Sequence, residues 1–205
     1  MASQGMIFQS LMDTSLRRRA LRLEWFTVSW NVLEAVIAIA AGIVAGSIAL
    51  VGFGLDSVIE TASAVILLWR LKQTGDAEEH AERRAVRLVG ISFFVLAAYV
   101  AWEAISALIQ KEQPQTSVPG MILAAASLIV MPLLGRAKAR LAKEMGSRAL
   151  AADSQETMAC AYLSATLLGG LLANALLGWW WADPVAALGI VVFLVREGWE
   201  AFEED

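Results

Sequence analysis

Residues 25–69 read WFTVSWNVLEAVIAIAAGIVAGSIALVGFGLDSVIETASAVILLW, and their only charged side chains are Glu34, Asp56 and Glu60. As a single helix this stretch would be roughly 65 Å long, about twice the thickness of a bilayer core. It must therefore fold back on itself, and the break is expected in 42–47, where Gly42, Gly46 and Ser47 loosen the helical pattern. Two apolar helices joined by so short a turn form a transmembrane hairpin.

The rest of the sequence extends this pattern. Hydrophobic residues make up 58% of the 205 positions, charged residues 18%, and the mean hydropathy is +0.60. A water-soluble domain carries more charge and spreads it more evenly. Apolar stretches lie at about 25–46, 48–69, 88–109, 118–135, 150–177 and 182–199, separated by polar connectors at 72–87, 110–117 and 136–148 and by a tight turn at 178–182. Asp183 followed by Pro184 reads as the N-cap and first position of the last helix. The fold class is all-α, a polytopic six-transmembrane-helix bundle. A polar arm, 1–23, precedes it and a short tail, 203–205, follows, with no soluble domain expected. The arm lacks the apolar core and cleavage site of a signal peptide, so the first span is expected to be retained. The single cysteine, Cys160, excludes an internal disulfide framework, and nothing reads as a nucleic-acid surface.

Charge sets the orientation. Of the 16 Lys and Arg residues, all but Lys111 fall in the arm, the 72–87 and 136–148 connectors with Arg70 beside them, or the C-terminal end. The positive-inside rule then puts both termini in the cytoplasm. Trp179, Trp180 and Trp181 fit an outer aromatic belt.

The ionisable residues assigned to the spans are Glu34, Asp56, Glu60, Glu103, Asp153 and Glu156, and all are acidic. Each costs roughly 2.5–3.5 kcal/mol on insertion scales, so such residues usually mark ion or proton paths. No Lys, Arg or His is expected deep enough to pair with them. Buried acids without basic partners are protonated, hydrogen-bonded or bound to a cation. Asp56 and Glu60 stand at i and i+4 on one face of the second helix. Asp153, Glu156 and Cys160 stand at i, i+3 and i+7 on the fifth, and the two sets reach mid-membrane if the helices are adjacent. Three carboxylates and a thiol from Asp56, Glu60, Glu156 and Cys160 make a four-ligand metal site, with Asp153, Glu34 and Asn31 as further candidates. The alternatives are ordinary ones: Asp56, Glu60, Asn31 and Glu34 hydrogen-bonded between helices, Cys160 as packing, and Asp153 and Glu156 as acids solvated at the helix start. Glu103 reads as interfacial and His80 as part of a solvated acidic connector.

At these residues the sequence resembles a known family. The motif GSIAL at 46–50 followed by LDSVIE at 55–60 resembles the second-helix signature of the cation diffusion facilitator (cation efflux) family. EAI at 103–105 before Pro114, and ADPVAALG at 182–189, resemble its third-helix end and sixth-helix start. The resemblance implies a six-helix carrier, commonly a homodimer, that exports zinc or a related ion in exchange for protons. It implies ligand pairs at Asp56 and Glu60 on helix two and at Glu156 and Cys160 on helix five. The family usually has Asp at both helix-two positions, and His or Asp then Asp on helix five, so Glu60 is a mild departure and the helix-five pair a larger one. No counterpart of the family's C-terminal cytoplasmic domain or of its His-rich loop is expected here.

Four ionised ligands would carry a charge of −4 in a medium of low dielectric, so the empty site is expected to hold protons that an entering metal displaces. A thiolate with carboxylates favours Zn²⁺ or Cd²⁺, followed by Fe²⁺, Co²⁺ and Mn²⁺. The expected protein is an integral protein of a prokaryotic plasma membrane. Its partners are the bilayer, a divalent metal ion and protons, and it needs no cofactor. The rival expectation is a non-transporting, metal-binding membrane regulator or assembly partner. An enzyme is not expected, because no nucleophile–base pair or intramembrane His is present.

Overall fold

Residues 2–70, 77–111 and 114–203 are described in a computed structural model, and among them all regular structure is helical. The helices are α1 (Ala2–Ala45), α2 (Ile48–Arg70), α3 (Ala77–Gln110), α4 (Val118–Met145), α5 (Arg148–Leu177) and α6 (Ala182–Glu203). The hairpin break falls where it was expected. Gly46 closes α1 in the left-handed region at φ 66°, and the Ser47 hydroxyl accepts from the Leu50 amide to start α2. The two helices then lie close: a Cβ on Gly54 would come within 2.7 Å of the Ile39 side chain and 3.0 Å of its backbone nitrogen.

Similar caps set the later boundaries. Ser117 accepts from the Gly120 amide ahead of α4, and Ser147 from the Leu150 amide ahead of α5. Gly146 and Gly178 end α4 and α5 with positive φ. Asp183 departs from the expected cap. It lies inside α6, whose first turn is closed by the Trp181 carbonyl accepting from the Val185 amide. Its carboxylate instead caps α2, accepting from the Ser47 hydroxyl and from the amides of Ile48 and Ala49 at 3.0 and 3.3 Å. The amides at an α2 N-terminus shielded from water need an acceptor, and α6 supplies it.

Many large apolar side chains face outward, while a set of polar and charged ones is buried within the apolar core. Trp25, Val36, Ile43, Trp102, Ile129 and Val192 are exposed, while Glu24, Asn31, Glu34, Ser127, Lys138 and Thr157 are fully buried. That distribution suits a hydrocarbon solvent and would be costly in water. Five of the helices are long and apolar enough to cross a membrane: α1, α2, α4, α5 and the later part of α3. In α6 the apolar run is short, lying between Asp183 and Arg196. The chain is a polytopic helical membrane protein.

Helices α1, α2, α4 and α5 form a ring of neighbours: α1 packs on α2 and α4, and α5 packs on α4 and α2. Helices α3 and α6 pair with one another and lean on α2 and α5. The 114–117 segment is tied to the hairpin end of the bundle by two bonds. One is from the Gln115 amide to the Ala45 carbonyl, 2.7 Å, and the other is from the Asn174 side chain to the Pro114 carbonyl, 2.9 Å.

Candidate metal site in the four-helix ring

A row of polar side chains runs down the inside of the ring. Nearest its middle is Glu34 of α1. Its carboxylate accepts from the hydroxyls of Ser57 on α2, at 3.0 Å, and Ser127 on α4, and from the Cys160 thiol on α5 at 3.9 Å. One side chain thus joins all four helices.

Glu60, 4% exposed, lies one step further from the hairpin end. Asn31, Thr157 and Cys160 stand around it, yet neither of its oxygens has a hydrogen-bond partner among the described residues. The Asn31 carboxamide is likewise buried with its nitrogen and oxygen unpartnered. An orphaned buried carboxylate facing an orphaned amide is costly unless something else binds there. Cys160 is within electrostatic range of Glu34, Glu60 and Asp56, so α2 and α5 do meet at this level. Asp56 is buried and engaged by its surroundings.

On α5 the inward positions are Asp153, Thr157, Cys160 and Ser164, at helical spacing. Glu156 is on the flank of this stripe, half-buried and engaged by a neighbour. The ring therefore brings together Asn31, Glu34, Asp56, Glu60 and Cys160, with Glu156 to one side. Among the described residues no three His, Cys, Asp or Glu side chains are close enough to hold an ion as they stand. Glu103 is half-buried on α3, which is not part of the ring, and the side chain of His80 lies outside the described residues.

The expectation that no basic residue reaches the acids fails at Lys138. Helix α4 does not stop near 135 but runs on to Met145, and its buried stripe continues through Ser127, Met131, Leu134 and Lys138. Lys138 is fully buried. Its ammonium lies 2.6 Å from Asp153 and 3.3 Å from Glu24, and donates to the Thr157 hydroxyl at 3.2 Å. Glu24 was not among the candidates, because it stands just ahead of the apolar stretch read as the first span, whereas α1 begins well before that stretch. The signal for Lys138 was present in the spacing: it stands seven residues after Met131 and four after Leu134, on the same face.

Residues 25–205 match the model of the cation efflux transmembrane domain. The chain belongs to the cation efflux family. Within it, the chain is 28% identical over 162 residues to an uncharacterized transporter of Synechocystis sp., covering 75% of this chain and 52% of the relative. It is 27% identical over 164 residues to transmembrane protein 163 of Xenopus laevis, covering 78% and 54%. To the manganese efflux system protein MneS of Bacillus subtilis it is 26% identical over 185 residues, covering 86% and 63%. The chain spans about half the length of the first two of these curated relatives and under two thirds of the third.

Proposed function

We propose that this protein carries divalent transition-metal ions across a membrane, with the ion bound as cargo inside the ring. The observation that carries the reading is the buried, unpartnered Glu60 carboxylate facing the unpartnered Asn31 amide, beside Asp56 and Cys160. An entering cation would satisfy these groups at once. The proposed ligands are Asp56, Glu60 and Cys160, with Glu156 drawn in from the flank and Glu34, Asn31 and Asp153 within reach of the same path. The thiol favours Zn²⁺-like ions, and the excess of oxygen donors keeps Mn²⁺, the ion named for the Bacillus relative, among the candidates.

Mutual repulsion among these acids favours protons on the site when it is empty, and the metal's charge displaces them. The direction proposed is efflux by metal/proton exchange, with both termini cytoplasmic and the hairpin end outside. The test is proton movement in sealed vesicles holding the purified protein, with Zn²⁺, Cd²⁺, Mn²⁺ and Mg²⁺ added in turn. Exchange gives proton flux with the first three and little with Mg²⁺. A metal-binding regulator that does not transport gives none with any ion.

A further inference from the structure

We propose that Glu24, Asp153 and Thr157 form a second cation station, and that Lys138 is a tethered cation seated in it, competing with the transported ion. This inference rests on the metal-transport reading above. The ammonium is fully buried and is held by one oxygen of Asp153, one of Glu24 and the Thr157 hydroxyl. Thr157 is fixed to receive it, because its own proton is given to the Asp153 carbonyl at 3.0 Å.

A purely structural ion pair satisfies both partners, and this cluster does not. The other oxygen of Glu24 is buried without a partner, and Glu60, within electrostatic range of Lys138, has both oxygens unpartnered. Three carboxylates against one ammonium leave an excess of negative charge if all are ionised, so the ammonium alone does not saturate the station. The station also continues the row that includes Glu60. Lys138 is about 30 Å along α4 from its Ser117 cap, near the far edge of a bilayer core. An ion moving between Glu60 and that end of the ring meets the ammonium and must displace it or be displaced by it. The flexible four-carbon stem lets the ammonium swing aside without moving a helix.

The experiment compares wild type, Lys138→Gln and Lys138→Arg as full-length protein in detergent. The readout is the concentration of Zn²⁺ or Mn²⁺ that half-stabilises each against heat, with vesicle transport measured alongside. Removing the competitor is expected to lower that concentration by about tenfold or more, well within what opposite unit charges at this range can supply. Lys138→Arg keeps a cation in place and is expected to stay within about threefold of wild type. Unchanged or weaker binding by Lys138→Gln, while wild type binds and transports, overturns the station and leaves the transport reading intact. Tighter binding by Lys138→Gln with no transport by wild type supports the station and removes the transport reading. No binding by either protein overturns both. If Lys138→Gln does not fold, Lys138→Met removes the charge while keeping an unbranched chain of similar length and all three station groups, and the same gain is required of it.

Discussion

Glu34 and Glu60 are both buried acids on the inside of the ring, but their surroundings oppose one another. Glu34 receives hydroxyls from two helices and a thiol from a third. Replacing it with Ala orphans the Ser127 hydroxyl, whereas Ser57 can fall back on the Phe53 carbonyl at 3.2 Å. The expected cost is about 1–3 kcal/mol, seen as a lower unfolding temperature in detergent. Glu60→Gln removes a buried acid that accepts no hydrogen bond among the described residues, and without metal it is expected to unfold at the wild-type temperature or above. The reverse order would mean that Glu60 is structural and Glu34 dispensable. At Cys160, exchange of a soft sulfur for a hard oxygen in Cys160→Ser should weaken Cd²⁺ binding more than Mn²⁺ binding. Equal loss or no loss would reduce the thiol to packing. That Asp56, Glu60 and Cys160 are buried and come near one another was legible in the sequence, because acids and a thiol recurring at helical spacing in apolar spans turn inward. Glu24, Lys138 and Thr157 were not, since the first two lie in stretches that read as solvated flanks and threonine in a helix is unremarkable.

At the level of elements, the boundaries that depend on local chemistry matched their sequence signals, as at Gly46 with Ser47 and at Gly178. Those that depend on a neighbour did not. Helices α1 and α4 overrun their apolar stretches because charged residues can stay helical when they pair between helices, as Glu24 and Lys138 do. Asp183 illustrates the same limit. From sequence it is the cap of its own helix, and in the fold it caps α2 through Ser47, Ile48 and Ala49. Loss of that acceptor in Asp183→Ala is expected to cost about 1–2 kcal/mol. Asp183→Asn, which still offers an oxygen, should recover part of it. Neither change should alter metal affinity at the ring, because Asp183 lies at the hairpin end. A shift in affinity without a shift in stability would tie Asp183 to the ion path instead.

The whole molecule is a ring of four helices enclosing a row of polar side chains, with α3 and α6 packed against it and an apolar exterior, so its orientation is decided by the charges at its two ends. Arg136, Arg140 and Lys143 are at the end away from the hairpin turns, where α4 closes at Gly146. By the positive-inside rule we propose that this end faces the cytoplasm. A single cysteine introduced at exposed Lys143, in a Cys160→Ala background, should react only with reagents admitted to the cytoplasmic side. One at exposed Gln115 should react only from the other side, and labelling the other way round would invert the direction of efflux.

Passage of the ion through the ring itself is tested most directly by metal uptake into vesicles holding wild type, Asp56→Asn or Glu60→Gln, each confirmed folded and present in equal amount. The expected result is saturable Zn²⁺ or Mn²⁺ movement by wild type and loss of about 90% or more in each variant, since each removes one charged ligand from a site of low dielectric. Wild-type rates from both variants would place the path outside the ring and contradict the assignment.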